Sequence, residues 1–293
     1  MNYMKKIITI LILSLSVFTT LSCSNSQEAS GKIQIYASFY PLAHFAEKVG
    51  GDLAQVTNLM PVGVEPHQYE PSIKAISKIR KADLFIYNGA GLDNWAEKVI
   101  SKLKIRLSDH IDLIKVSGSV DPHFWIDPVN AIKEVEIIKD ALIKIDPKNK
   151  TIYEKNAEKY IKELKALHAE YKNSLSTCKF KTIVVSHDAF RYLAARYGFE
   201  TVAIRGLSTE EEPSPKKIAE IANLAKKSGV KYIFTETLIS PKLAETIASE
   251  IGVKTLVLNP VHGLTNKEVL KGEDYISIMK ENLVNLSLAL GCK

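Results

Sequence analysis

Cysteine is scarce in this chain, with three in 293 residues, at positions 23, 178 and 292. The first lies in the N-terminal leader, so the body holds material for one disulfide at most, or for two unpaired thiols. Long apolar runs are missing beyond the leader. None reaches the eighteen residues or so that a membrane span needs. A concentrated block of positive charge is absent too. The formal net charge is +6, but it is spread over lysine-rich helical stretches as solvated faces, which argues against a nucleic-acid-binding surface. There is no HExxH, the helix-borne signature of a zinc hydrolase. What is present is a 46% hydrophobic composition in a chain long enough for two ordinary domains or one large one.

The first 22 residues read as an export signal. Lys5 and Lys6 supply the positive end, residues 7–18 are apolar but short for a span, and small polar residues follow. Thr20-Leu21-Ser22-Cys23 resembles a lipobox, with Thr20 where an aliphatic residue is usual. That resemblance implies lipid attachment at Cys23; a plain cleaved signal peptide is the alternative. Residues 23–31 are small and polar, as a lipid-anchored tether would be. In an exported chain the compartment is oxidising, which favours a Cys178–Cys292 bridge over free thiols.

The remainder divides into three. Residues 32–146 alternate short strands (33–37, 53–59, 84–87) with helices (41–49, 72–81, 93–103). That rhythm implies parallel pairing, because every crossover must be long. Residues 147–177 lack glycine and proline after Pro147, are dense in Lys, Glu, Ala and Tyr, and keep helical spacing. They predict a long helix joining two lobes; a surface helix of one large domain is the alternative. Residues 178–293 resume the strand and helix rhythm and end in a helix over 275–290. The expected fold class is therefore α/β: two βα lobes with parallel sheets joined by one long rigid helix.

Seven histidines are present, at 44, 67, 110, 123, 168, 187 and 262. His67 sits in a loop after the second strand, and His187 directly follows the strand 182–186. Ligands of open α/β sheets bind at the carboxyl ends of strands, where both would lie. His123 fits that rule more loosely. Pro66 and Pro122 stiffen two of the three loops, and neutral imidazole is a common ligand for zinc and related ions. Taken singly, each histidine is as well explained as a hydrogen-bonded loop residue.

Three stretches together carry a resemblance: Pro61-Val62-Gly63-Val64-Glu65-Pro66-His67-Gln68-Tyr69-Glu70-Pro71, Asp121-Pro122-His123-Phe124-Trp125-Ile126-Asp127-Pro128, and Ser186-His187-Asp188-Ala189-Phe190-Arg191-Tyr192-Leu193. They are similar to the metal-binding segments of the solute-binding proteins that serve zinc- and manganese-uptake ABC transporters. Asn88-Gly89-Ala90-Gly91-Leu92-Asp93 and Thr209-Glu210-Glu211-Glu212-Pro213-Ser214 add to the match. The resemblance implies that His67 and His123 are ligands from the first lobe and His187 a ligand from the second. Its fourth ligand is usually an Asp just after the last strand, where this chain has Asn259. Asn259 or a water is therefore expected to complete the shell, with Glu236 as an alternative ligand or an acceptor orienting a ligand histidine, and His262 nearby.

Three imidazoles suit Zn2+ better than the harder Mn2+, which remains possible. The resemblance further implies small tilts of the lobes about the helix, a membrane permease of an ABC transporter as partner, a monomer, and a location outside the cytoplasm. Trp95 to Val120 contains one histidine and no His-rich run, so a single high-affinity site is expected, with His44, His110 and His168 left to structure or surface. Two rival readings are a zinc-dependent hydrolase and a surface adhesin lipoprotein.

Overall fold

A parallel strand cannot be followed by a hairpin, so each β-branched segment here is succeeded by a crossover that returns the chain to the same edge. The computed structural model describes residues 31–293 except 117 and 211; the expected signal peptide, Cys23 and most of the tether lie outside the described residues. The first half runs β1 (Ile33–Ala37), α1 (Tyr40–Gly50), β2 (Ala54–Asn58), α2 (Ile73–Ile79), β3 (Leu84–Tyr87) and β4 (Lys104–Arg106). Its four strands are all parallel, in the order β2-β1-β3-β4. A two-stranded antiparallel pair, β5 (Lys115–Val116) and β6 (Ser119–Val120), follows. Next come α3 (Pro128–Ile145) and α4 (Lys150–Ser174).

The second half runs β7 (Thr182–Val185), α5 (Arg191–Tyr197), β8 (Glu200–Ala203), α6 (Pro215–Lys227), β9 (Tyr232–Thr235), α7 (Lys242–Ile251), β10 (Lys254–Val257), α8 (Asn266–Lys271) and α9 (Tyr275–Leu290). Its sheet is again parallel, in the order β10-β9-β7-β8. Counted from its own first strand, this sheet repeats the connectivity of the first. Each sheet therefore has one switch point, between β1 and β3 and between β7 and β9, where crossovers leave in opposite directions and open a crevice at the carboxyl ends. The fold is two βα lobes with parallel sheets, joined by one long helix, as the alternation of strands and helices implies.

That helix, α4, has 25 residues and is about 38 Å long at 1.5 Å per residue. Its buried stripe is Tyr153, Ala157, Tyr160, Leu164, Leu167 and Tyr171. Near one end, Asn156 Nδ2 donates to the Val49 carbonyl at the close of α1 (3.0 Å). Near the other, the Tyr171 hydroxyl donates to the Met279 carbonyl of α9 (2.6 Å). His44 and His168 have structural partners along it: the His44 ring faces the Tyr160 hydroxyl at 3.1 Å and the His168 ring faces that of Tyr197 at 3.0 Å. His110 is exposed at the end of a single turn, Leu107–His110, whose first two residues are buried. Beyond α4, Cys178 is disulfide-bonded to Cys292, just past α9 and 114 residues away in sequence.

The short elements β4, β5, β6 and α8 have no counterpart in the sequence reading, and two longer segments differ from it more consequentially. The helix expected over 93–103 is only a 3-10 turn, Asn94–Lys98. The Lys104 ammonium donates to the carbonyls of Ala96, Glu97 and Val99 (3.2, 2.9 and 3.2 Å), which caps the turn before Val99 and Ile100 could continue it. Conversely, α3 has no counterpart in the sequence reading. Asp127 accepts from the Val129 N–H and Pro128 occupies the first turn, a start signal hidden by proximity to the longer helix.

Glu134 of α3 is fully buried, and neither carboxyl oxygen finds a hydrogen-bond partner among the described residues. Burial, reinforced by the charge of Asp127, pushes its pKa well above the usual carboxylate range. A folded-state pKa above the unfolded one means the native chain holds a proton the unfolded chain has released. The Glu134 contribution to stability should therefore fall as pH rises from the ordinary carboxylate range towards the raised value. Glu134→Leu is expected to gain about 1–3 kcal/mol at neutral pH and to lose that slope. Urea unfolding of both proteins at pH 5 and pH 8 reads this as a difference, which cancels the opposing slope of the buried histidines; a gain from Glu134→Leu that does not grow between pH 5 and pH 8 would contradict the account.

Candidate metal centre

The loops at the carboxyl ends of the strands converge where the two switch points face each other. Glu65 caps the turn Pro66–Gln68 by accepting the His67 N–H (3.0 Å), and Pro66 fixes the entry. The second loop repeats the device: Asp121 Oδ1 accepts the His123 N–H at 2.9 Å and faces His123 Nδ1 at 2.8 Å. Asn88, beside the first switch point after β3, donates Nδ2 to the Pro122 carbonyl (3.0 Å). Asn88 is itself fixed by Asp93, which accepts its backbone N–H (2.8 Å). His187 follows β7, and Glu236 follows β9 across the second switch point; Glu236 Oε1 faces His187 Nδ1 at 2.7 Å. His262 comes from the loop after β10.

The four imidazoles meet. His67 Nε2 lies 3.1 Å and His187 Nε2 3.3 Å from His123 Nε2. One ring nitrogen from each of His67, His123, His187 and His262 falls within 4.8 Å of the others. Tetrahedral nitrogens bound at 2.0–2.1 Å to one zinc ion stand about 3.3 Å apart, so the cluster fits a single ion. His262 Nε2 is buried with no hydrogen-bond partner among the described residues, a lone pair that a cation would satisfy. His123, His187 and His262 are buried, while His67 is partly exposed.

Electrostatics hold most of the rings neutral and ready. Burial and the nearby His187 push His67 down to about 3. The same two causes, joined by the other cluster rings, hold His123 and His262 well below the ordinary histidine value. His187 is the exception: burial disfavours its charged form, but the carboxylates of Glu236, Glu65 and Asp188 outweigh that and raise its pKa. Burial pushes Glu65 and Asp121 up to about 7 each. A divalent ion among the imidazoles would draw both acids back to carboxylates. Carboxylates on the far nitrogens of His123 and His187 fix each ring's tautomer, so that Nε2 presents its lone pair.

The sequence reading expects Asn259 or a water to complete the shell, and the structure adds a fourth ring, His262, to the other three. Asn259 is committed elsewhere: its Oδ1 accepts the Val261 N–H (2.8 Å) and its Nδ2 donates to Glu268 Oε1 (2.8 Å). One oxygen lone pair and one N–H of that amide are thus engaged away from the rings, while His262 brings the fourth ring nitrogen to the cluster. Glu236 sits as an acceptor on His187. Sequence reasoning passed over Glu65 and Asp121. Their signal was in plain view: Glu65-Pro66-His67 and Asp121-Pro122-His123 share an acid, proline, histidine order, and the acid secures the histidine backbone in both.

Comparison with known proteins agrees with this geometry. The family described as "ZnuA: Zinc-uptake complex component A periplasmic" matches residues 35–289. The zinc-binding lipoprotein AdcA of Streptococcus pneumoniae serotype 4 is 41% identical over 96% of this chain and 60% of its own length. The chain thus spans about three fifths of the curated relatives it matches first. The high-affinity zinc uptake system protein ZnuA of Bacillus subtilis is 39% identical over 89% of both chains. Among solved structures, the Zn(II)-bound ZnuA-like domain of S. pneumoniae AdcA superposes with a TM-score of 0.80 at 42% identity, covering 89% of this chain and 99% of that one. The chain belongs to the ZnuA family, the periplasmic A components of zinc-uptake complexes.

Proposed function

We propose that this chain is an extracytoplasmic receptor that captures Zn(II) between its lobes and delivers it to the permease of an ABC importer. The observation that carries the reading is the convergence of four imidazoles, drawn from loops of both halves, on one ion-sized space. His67, His123, His187 and His262 are the ligands, and Glu65, Asp121 and Glu236 are the acids around them. Four nitrogen donors suit zinc better than manganese, which favours oxygen. The zinc-binding names of the relatives support this choice.

In this reading residues 1–22 direct export and Cys23 carries the lipid; two of the relatives are themselves named zinc-binding lipoproteins. The lobes, 32–146 and 178–293, tilt only slightly about residues 147–177, and the receptor works as a monomer. A hydrolytic role is not favoured, because four imidazoles complete a tetrahedron and leave no open position for an attacking water. Native mass spectrometry with competitive titration of zinc against manganese tests the reading. One zinc per chain, preferred over manganese, is expected; no bound zinc would sink it.

Ion capture should depend on pH through His187. Its pKa is raised, so zinc must displace a proton there at and somewhat above pH 6.5. Affinity should then fall at least about tenfold per pH unit below that value, and more steeply to the extent that Glu65 and Asp121, pushed up to about 7, also release protons. Chelator competition between pH 5.5 and 8 reads the slope. A flat profile would mean that no proton leaves the site.

A further inference from the structure

We propose that Asn259 is a positioning residue: by holding Val261 in a left-handed backbone conformation it aims His262 at the ion. The proposal deepens the zinc-receptor reading and rests on it. Val261 has φ +57°, one of two non-glycine residues among the described residues with positive φ. Its side chain is fully buried. A β-branched residue is a steric outlier there, because its Cβ crowds the following carbonyl, and it stays only when its surroundings over-determine it.

The surroundings do so from both sides. Asn259 Oδ1 accepts the Val261 N–H (2.8 Å) and Asn259 Nδ2 is tied to Glu268 (2.8 Å). Asn282 of α9 grips the Asn259 main chain in both directions: its Oδ1 accepts the Asn259 N–H (2.8 Å) and its Nδ2 donates to the Asn259 carbonyl (2.7 Å). The Pro260 carbonyl accepts from Trp125 Nε1 (2.9 Å). On the far side, the Leu264 carbonyl accepts the Gly63 N–H (2.9 Å), which anchors the chain just beyond Gly263. With both flanks fixed, the turn at Val261 decides where the next side chain points. It points the His262 ring at Trp125, with centroids 5.7 Å apart, and at the other three imidazoles. An extended Val261 would carry the ring away from them.

The test uses four versions of the mature protein: wild type, Asn259→Ala, Val261→Gly and the double variant. Zinc affinity is read by chelator competition, and the visible absorption of the Co(II)-loaded protein reports coordination geometry. Asn259→Ala should weaken zinc by about 10–100-fold and dim the intense Co(II) bands of a four-coordinate site. Glycine takes positive φ unaided, so Val261→Gly should stay within about threefold of wild type, and adding it should restore most of what Asn259→Ala loses.

Wild-type affinity and spectrum in Asn259→Ala would overturn the proposal. So would a double variant as weak as Asn259→Ala, since the effect would then bypass residue 261. Should Asn259→Ala fail to fold, Val261→Gly and the double variant decide: parity supports the proposal and a gap of about tenfold or more overturns it. A wild type that binds no zinc sinks the receptor reading and this proposal with it. A normal wild type with indifferent variants sinks only the role of Asn259.

Discussion

Replacing His123 with alanine should lower zinc affinity by about two orders of magnitude while leaving the chain folded. Zinc held by four protein ligands is bound with about 12 kcal/mol. A quarter of that, about 3 kcal/mol, corresponds to roughly a hundredfold. His123 is the ligand to test, because it is completely buried and lies against both His67 and His187. His67 is partly exposed, so in His67→Ala a water can enter the empty position and the loss should be smaller. The fold should survive His123→Ala. Asp121, the acid left behind, is pushed up to about 7 by burial and can shed its charge by taking a proton. Titration calorimetry checks the order of the two variants. Equal affinity of His123→Ala and wild type would remove His123 from the site.

Breaking the Cys178–Cys292 bridge should cost about 2–5 kcal/mol. The bond closes a loop of 114 residues, and chain-entropy arguments assign a loop of that size a stabilisation near the top of the usual range. For a chain of this length a loss of that size corresponds to a fall of about 5–15 °C in melting temperature. Calorimetry of Cys178→Ser beside wild type, each with and without reductant, measures it. The variant should melt early in both conditions and the wild type only when reduced. An unchanged midpoint in the variant would show that Tyr171 and Asn282 hold α9 without help from the bridge.

The fold was legible wherever local signals were strong. Ser72 announced α2, whose first turn it caps through the Ala75 N–H. The last helix was expected over 275–290 and spans Tyr275–Leu290, because apolar periodicity runs unbroken between Asp274 and Gly291. The helix expected over 93–103 fails for a reason no window of sequence reveals: a lysine folds back from the next strand to cap three carbonyls.

At the site, three histidines were readable because each follows a strand or a stiffened acid-proline pair. The fourth was obscured by its neighbour. Asn259 stands where a liganding side chain was expected, and only the structure reveals that its amide is already shared between Val261 and Glu268. That His262, three residues on, reaches the other rings goes with the positive φ of Val261, and composition does not encode a backbone torsion.

The unequal exposure of the four rings separates how firmly the ion is held from how quickly it comes and goes. Three of the proposed ligands, His123, His187 and His262, are buried, and the backbone just before His123 and His262 is held by Asn88, Trp125 and Asn282. Traffic must then pass by the one ring that solvent reaches. His67 rides on a short loop braced by Glu65, by the Tyr69 hydroxyl on the Leu59 carbonyl (2.6 Å) and by the Gly63 N–H on the Leu264 carbonyl (2.9 Å). Loading and unloading therefore share one doorway, and whatever lifts that loop sets the rate of exchange without altering the other three rings.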